Sequence, residues 1–190
     1  MATAPKHRLT VAEYLDFEQT SEVKHEFLNG EIFAIVGASE PHNLIAWNIS
    51  GELRSRLKQR PCRAYSSDMR VKVDRTGLYT YPDVTALCGD PLFEEGGRHT
   101  LLNPQLIVEV LSESTEAYDR GKKFAHYRHI ESLGQYLLVS QDARLVESFT
   151  RHDDGQWMLA AFDRADDVIS LTSLNCELPL SEIYDKVNLG

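Results

Sequence analysis

A carboxylate in the middle of an apolar run fixes much of what this chain can become. The run is Pro104-Gln105-Leu106-Ile107-Val108-Glu109-Val110-Leu111-Ser112. It is short and rich in β-branched and aliphatic residues, so it reads as a buried strand. An uncompensated carboxylate there costs on the order of several kcal/mol unless a cation meets it. No Lys or Arg is near Glu109 in sequence. The countercharge must therefore be a metal ion or a lysine delivered from elsewhere in the fold.

The chain around this strand has 190 residues, enough for one domain, 1–190, with a well-developed core. Hydrophobic residues make up 42% and charged residues 26%, a balance that fits a globular protein. The net charge of −9 argues against coating nucleic acid by bulk charge, but leaves room for a local basic groove. Cys62, Cys88 and Cys176 form no C-x-x-C pair. Reduced thiols in an intracellular compartment are the simplest reading, and a structural zinc site is not indicated. Residues 1–9 lack the apolar core of a signal peptide, and no run approaches the ~18 apolar residues that span a bilayer. A soluble, cytoplasmic protein is expected, with no membrane partner.

Local patterns place elements along the chain. Thr10 and Glu13 have capping-box spacing before Val11, Tyr14 and Leu15, so a helix begins at Thr10. Asn29-Gly30 is a type I′ turn signal and predicts a hairpin between 24–28 and 31–36. Residues 41–60 read as a long helix whose apolar face holds Leu44, Ile45, Trp47, Ile49, Leu53 and Leu57. Strands are expected at 63–67, 69–73, 83–88, around Glu109 and at 136–140. The span 89–103 reads as a loop and 116–130 as a helix. A hairpin follows from 144–150 and 156–162 around Asp153-Asp154-Gly155, then a short helix capped by Ser181. The order implies a mixed α/β (α+β) sandwich with one central sheet.

Two of these strands carry acids. Tyr81-Pro82-Asp83 sets an acid at the start of one, and Glu109 lies inside the next. If the strands are neighbours, the two carboxylates converge, and hard oxygen donors of this kind suit Mg²⁺ or Mn²⁺. Such an ion polarises a phosphoryl group and lowers the pKa of an attacking water. A cation is available in Asp119-Arg120-Gly121-Lys122-Lys123, where Lys123 shares a helix face with Asp119 and Tyr127. Each residue also has a plainer reading. Asp83 is compatible with turn chemistry, Lys123 with a solvated helix face, and Lys122 is a neighbouring rival. Glu26 reads equally as the outer side of a hairpin, Asp119 as a first-turn acid facing the helix dipole, and His42 as a helix-start residue. Two basic stretches, Arg54, Arg56, Lys58, Arg60 and Arg63, then Arg120, Lys122, Lys123, His126 and Arg128, offer weak support for phosphate contacts.

The ordered set of motifs resembles the PD-(D/E)XK, or restriction-endonuclease-like, superfamily, and more closely the Uma-type family described as putative restriction endonucleases. The matching stretches are His25-Glu26-Phe27-Leu28-Asn29-Gly30-Glu31, Tyr81-Pro82-Asp83-Val84, Asn103-Pro104 with Val108-Glu109-Val110-Leu111-Ser112, and Ser114-Thr115 with Tyr118-Asp119-Arg120-Gly121. Lys123, Tyr127, Tyr136-Leu137-Leu138-Val139 and Leu178-Pro179-Leu180 continue the likeness over nearly the whole chain. The resemblance implies a restriction-endonuclease-like core, a central mixed sheet flanked by helices, with an extra N-terminal hairpin and a C-terminal β extension. It implies a Mg²⁺- or Mn²⁺-dependent endonuclease that hydrolyses DNA phosphodiester bonds with a metal-activated water. Asp83 and Glu109 become the metal ligands, Lys123 the catalytic lysine, and Glu26 the acid from an early element. One departure stands out: the superfamily's lysine usually lies two residues after the second acid, and Leu111 is there. The alternative is a catalytically inactive nuclease-fold module that binds nucleic acid or a protein partner. A homodimer is expected from the edge strands and from the two-fold symmetry of duplex cutting.

Overall fold

A computed structural model describes residues 8–35, 37–113 and 115–189. Val36, expected in the first hairpin, Ser114, from the quoted motif, and residues 1–7 therefore lie outside the described residues. Helix α1 (Val11–Thr20) opens with the anticipated capping box, Thr10 Oγ1 accepting from the Glu13 amide while Glu13 accepts from the Thr10 amide. Strands β1 (His25–Leu28) and β2 (Glu31–Ala34) close through Asn29 (φ 52°) and Gly30 (φ 85°), both in the left-handed region a type I′ turn needs. A Cβ on Gly30 would lie 2.6 Å from Arg8 Cβ, so glycine is required there twice over.

Helix α2 (Glu40–Leu57) buries a stripe at four-residue intervals, Ile45, Ile49, Leu53 and Leu57. At about 1.5–3 kcal/mol for each side chain, this stripe anchors the helix to the sheet beneath it. Trp47 does not belong to it: two residues from Ile45 is a half-turn of helix, and the indole is 76% exposed.

The strands divide between two main sheets rather than one. The six-stranded sheet contains β3 (Cys62–Ser66), β6 (Val84–Cys88), β8 (Leu106–Leu111), β9 (Gln135–Ser140), β10 (Val146–Arg151) and β11 (Trp157–Phe162). Its order is β11-β10-β9-β8-β6-β3, and it is mixed, with β8 parallel to β9 and antiparallel to β6. The second sheet adds β4 (Arg70–Val73), β5 (Leu78–Thr80) and β7 (Thr100–Leu101) to the first hairpin, in the order β2-β1-β5-β4-β7. Here β5 arises where no strand was anticipated, and β7 lies within the stretch expected to be loop. A small hairpin of β12 (Val168–Leu171) and β13 (Cys176–Pro179) precedes α5 (Leu180–Ile183), whose N-cap is Pro179 rather than Ser181.

Alternation along β8 organises the interior. Leu106, Val108 and Val110 face α2 and the C-terminal hairpin, in a core with Val84, Ala86, Leu137, Val139 and Leu178. Ile107 and Leu111 face the other way, toward Val71, Leu78, Leu101, Tyr127 and Tyr136. Strand β8 is thus covered on both faces, as its apolar run requires. Glu109 shares the face of Ile107 and Leu111, so it projects toward the second sheet. Tyr14, Phe27 and Tyr79 clamp α1 onto that sheet, with the Tyr14 and Phe27 rings stacked at 4.8 Å.

Cys62 and Cys88 occupy paired positions in the β3–β6 ladder and are joined by a disulfide. The expectation of reduced thiols is corrected for this pair: a sequence separation of 26 hides a register that sets them side by side. Cys176 remains a free thiol. Among the described residues no helix is long and apolar enough to cross a membrane.

Candidate active site

The chain after β8 returns to β9 through α3 (Glu116–Tyr118), a π-helical turn (Asp119–Lys123) and α4 (Phe124–Tyr127). This crossover passes over the face onto which Glu109 projects. The π turn buries Asp119 and Lys123 while leaving Lys122 exposed. A π turn inside a helix is uncommon and recurs at functional positions. Here it aims one of two consecutive lysines at the sheet.

Lys123 Nζ lies 3.0 Å from Glu109 Oε1, 3.0 Å from Glu26 Oε1 and 3.3 Å from Asp119 Oδ1. The misplaced charge of β8 therefore meets a lysine, delivered by the crossover. Glu26 comes from β1 in the other sheet, so the ammonium bridges both sheets. Tyr127 donates to the same Glu109 oxygen at 2.7 Å, and Thr80, at the end of β5, donates to Glu26 at 2.5 Å. Tyr136 donates to the Asp119 carbonyl at 3.2 Å and so braces the π turn. All four charged groups of this cluster are less than a tenth exposed.

Asp83 stands at the mouth of the cluster. Val84 pairs with Val108, and continuing that antiparallel register by one residue sets Asp83 opposite Glu109. Its Oδ2 accepts from the Val110 amide at 2.8 Å, a contact that holds the carboxylate to the neighbouring strand. His42, from the first turn of α2, brings Nε2 to 3.3 Å from the same oxygen. Asp119, which reads in the sequence as a helix-start acid, is a buried member of the cluster, and His42 does reach the cleft.

Three carboxylates surround one lysine, with Asp83 close by, and the charges respond. Burial pushes the Glu109 carboxyl up from 4.5 to about 8, against the pull of Lys123 and with the help of Asp119 and Asp83. Burial raises Asp119 as well, again against Lys123. Lys123 is itself desolvated, yet Glu109, Glu26 and Asp119 together hold it well above an ordinary lysine. Burial opposes charge on His42, but Asp83 and Asp119 keep it above the usual imidazole range.

The donor set suits a hard divalent cation. Asp83 and Glu109 supply oxygens from adjacent strands, the carboxylates outnumber the nearby cations, and the described contacts of Glu109 all use one oxygen, Oε1. Among the described residues no three acids, histidines or cysteines form a ready-made cage. Mg²⁺ tolerates this, since it keeps several waters and is often held by one or two carboxylates plus substrate phosphate.

Sequence reasoning named Asp83, Glu109, Lys123 and Glu26, and the structure brings all four into one region. Two supporting hydroxyls were not singled out as site groups. Thr80 lies just before the Tyr81-Pro82-Asp83 motif in a strand that was not anticipated. Tyr127 enters as a helical neighbour of Lys123 and as part of the family likeness, and its i, i+4 spacing is the signal for its role.

Fold and site together define a mixed α+β protein of the restriction-endonuclease-like class, with a carboxylate–lysine centre at the junction of two sheets. A model of the Uma2 family, described as "Putative restriction endonuclease", matches residues 11–181, and the chain belongs to that family. Among curated proteins it is 36% identical over 182 residues to the uncharacterized protein slr1290 of Synechocystis sp. (strain ATCC 27184 / PCC 6803 / Kazusa), covering 96% of this chain and 94% of that one. The uncharacterized protein sll1609 of the same strain is 39% identical over 159 residues, covering 84% and 90%. Among solved structures, the fold matches a crystal structure described as a putative nuclease belonging to DUF820 from Anabaena variabilis ATCC 29413. The TM-score is 0.77 at 20% identity, over 95% of this chain and 99% of that chain.

Proposed function

We propose that this protein is a metal-dependent nuclease that hydrolyses phosphodiester bonds in DNA. The observation that carries the reading is the convergence of Lys123 Nζ on Glu109 and Glu26, both at 3.0 Å, beside an Asp83 held opposite Glu109 by strand register. In this reading Asp83 and Glu109 hold Mg²⁺ or Mn²⁺. Bound there, such an ion supplies Lewis-acid stabilisation of the phosphoryl oxygens and lowers the pKa of the attacking water. Lys123 stays protonated near neutral pH, because its three carboxylate neighbours outweigh its burial. It therefore acts as a fixed positive charge for the phosphate rather than as a base. Glu26, oriented by Thr80, positions the ammonium, and Tyr127 fixes Glu109. His42 Nε2 can hold or release a proton at Asp83.

The test is cleavage of plasmid DNA by purified protein with and without Mg²⁺ or Mn²⁺, alongside calorimetric titration of the metal. Asp83→Ala and Glu109→Ala should each abolish cleavage and weaken metal binding while the circular dichroism spectrum is kept. Unchanged cleavage in both variants refutes the assignment. Metal-independent DNA binding without cleavage by the wild-type protein favours the inactive-module alternative, for which Leu111 in the superfamily's usual lysine position speaks. For duplex cutting we further propose a homodimer through the β10–β11 extension, whose edge strand exposes Met158 and Leu159. Sedimentation of a monomer at assay concentration refutes it.

A further inference from the structure

The basic stretch that follows the centre of α2 resolves into two groups. Arg56 is tied to Glu52 at 2.8 Å, and Arg60 is turned toward the Asn175 carbonyl. Arg54 and Lys58 are exposed, and among the described residues their side chains make no hydrogen bond or ion pair. They stand one helical turn apart, about 6 Å along the axis. Together with Arg63 of β3, whose Nη1 donates to the Gly89 carbonyl at 2.9 Å and whose remaining guanidinium N–H groups have no described partner, they line a groove of about 550 Å³ between the flank of α2 and the outer edge of the six-stranded sheet. Among the described residues no carboxylate lines that groove, although the protein carries a net charge of −9. One arginine on an edge strand suffices to discourage strand pairing. Arg54 and Lys58 also meet the negative end of the α2 dipole, but the dipole does not require that both face one groove with Arg63.

The groove has a direction. Its Cys62 end pairs with Cys88, and its Ser66 end pairs with Val84, the neighbour of Asp83. Helix α2 runs alongside it, from His42 at the candidate active site to Lys58, a rise of about 24 Å. Trp47 lies on the same flank, three and seven residues before Ser50 and Arg54, with its indole 76% exposed and outside the core stripe. A basic track that ends at an exposed aromatic is an arrangement that binds single strands, with phosphates on the cations and a base on the ring.

We infer that the α2–β3 groove is a binding track for single-stranded nucleic acid: Arg54, Lys58 and Arg63 hold consecutive phosphates, and one base stacks on Trp47 between them and the carboxylate–lysine centre. The track itself stands on charge and shape. Only its role in feeding that centre rests on the nuclease reading above. In that role the strand is presented to Asp83 and Glu109 with its bases unstacked from a partner.

The test uses the full chain in EDTA, so that binding is read without cleavage, and short fluorescein-labelled oligothymidylate, oligouridylate and duplex DNA followed by anisotropy at several salt concentrations. Arg54→Ala/Lys58→Ala should weaken single-strand binding at least about tenfold and lower the magnitude of the log K against log salt slope by about 1.4, for two phosphate contacts. Trp47→Ala should cost roughly 5- to 150-fold, the range for one lost base–aromatic stack. In a Trp157→Phe background, single-strand binding should quench the remaining Trp47 emission. All three sites are exposed, so thermal midpoints should stay within a degree or two of the parent (~0.5 kcal/mol or less). Preferred binding of the RNA or the DNA oligomer identifies which single strand the track takes. Unchanged affinity and salt slope in the double variant, an unmoved Trp47 signal at saturation, or equal binding of duplex overturns the inference. A protein that binds in this way but never cleaves would refute the nuclease reading and leave the track standing. Cleavage with binding indifferent to the three residues would do the reverse.

Discussion

Replacing Glu109 by Gln should make the protein more stable and inactive at once. The carboxyl titrates at about 8 in the folded chain against 4.5 ordinarily. Below the ordinary value both states carry the proton, and the stability is fully present. As pH rises through that window the unfolded chain releases the proton first, so stability is lost until the folded carboxyl also ionises near pH 8. At ~1.36 kcal/mol per unit the whole excursion is about 5 kcal/mol, of which about 2.5 kcal/mol falls between about pH 5 and about pH 7. Glutamine imitates the protonated form: it has nearly the same shape, can still meet Tyr127, and has no charge to bury. Glu109→Gln should therefore lack this part of the pH dependence and exceed the parent by up to about 3 kcal/mol near pH 7, less whatever the Lys123 contact contributes. Urea titrations at a series of pH values, monitored by circular dichroism, measure the difference directly. Parallel stability–pH curves for the two proteins between pH 5 and 8 would refute the claim that burial dominates at this carboxylate. In the cleavage assay the same variant should be inactive, a site residue that trades stability for chemistry.

Removing the ammonium has the opposite sign: Lys123→Met should destabilise by about 3–5 kcal/mol near neutral pH by stranding buried carboxylates, and Lys123→Met/Glu26→Gln by less than the sum of the singles, read by chemical denaturation. Reducing the Cys62–Cys88 bond, with 26 residues of separation, should cost about 3.5 kcal/mol on the chain-entropy model and lower the thermal midpoint by about 7–14 °C, seen by calorimetry with and without dithiothreitol. Thr10→Ala opens the capping box and should cost about 1 kcal/mol, whereas Thr10→Ser should recover most of it in urea unfolding.

Local chemistry was legible in the sequence, and non-local pairing was not. The α1 cap and the Asn29-Gly30 turn depend on neighbours within four residues, and both appear as expected. Glu109 announced that a counter-charge existed because its desolvation is a property of its own strand. It could not say whether that charge was a metal or a lysine, since the answer lies across a crossover and in a second sheet. Short strands escaped for a related reason. Leu78-Tyr79-Thr80 is too brief to display alternation, and Thr100-Leu101 forms through non-local pairing, parallel with Arg70 and Val71 and by an antiparallel bridge to Phe93. Two sheets rather than one follow from the same limitation, because period-two alternation looks identical whichever partner a strand finds. Trp47 was misread because an aromatic within an apolar cluster is counted as core until the stripe through Ile45, Ile49, Leu53 and Leu57 fixes which side faces inward.

Placing the amine on the crossover frees a position on β8. Leu111, where a related enzyme would spend a lysine, becomes an ordinary packing residue, and the strand closes its hydrophobic layer without interruption. The ammonium that meets Glu109 and Glu26 then belongs to the crossover rather than to a rung of the sheet. A scaffold wired this way separates the pairing of its strands from the one helical turn that carries its buried positive charge.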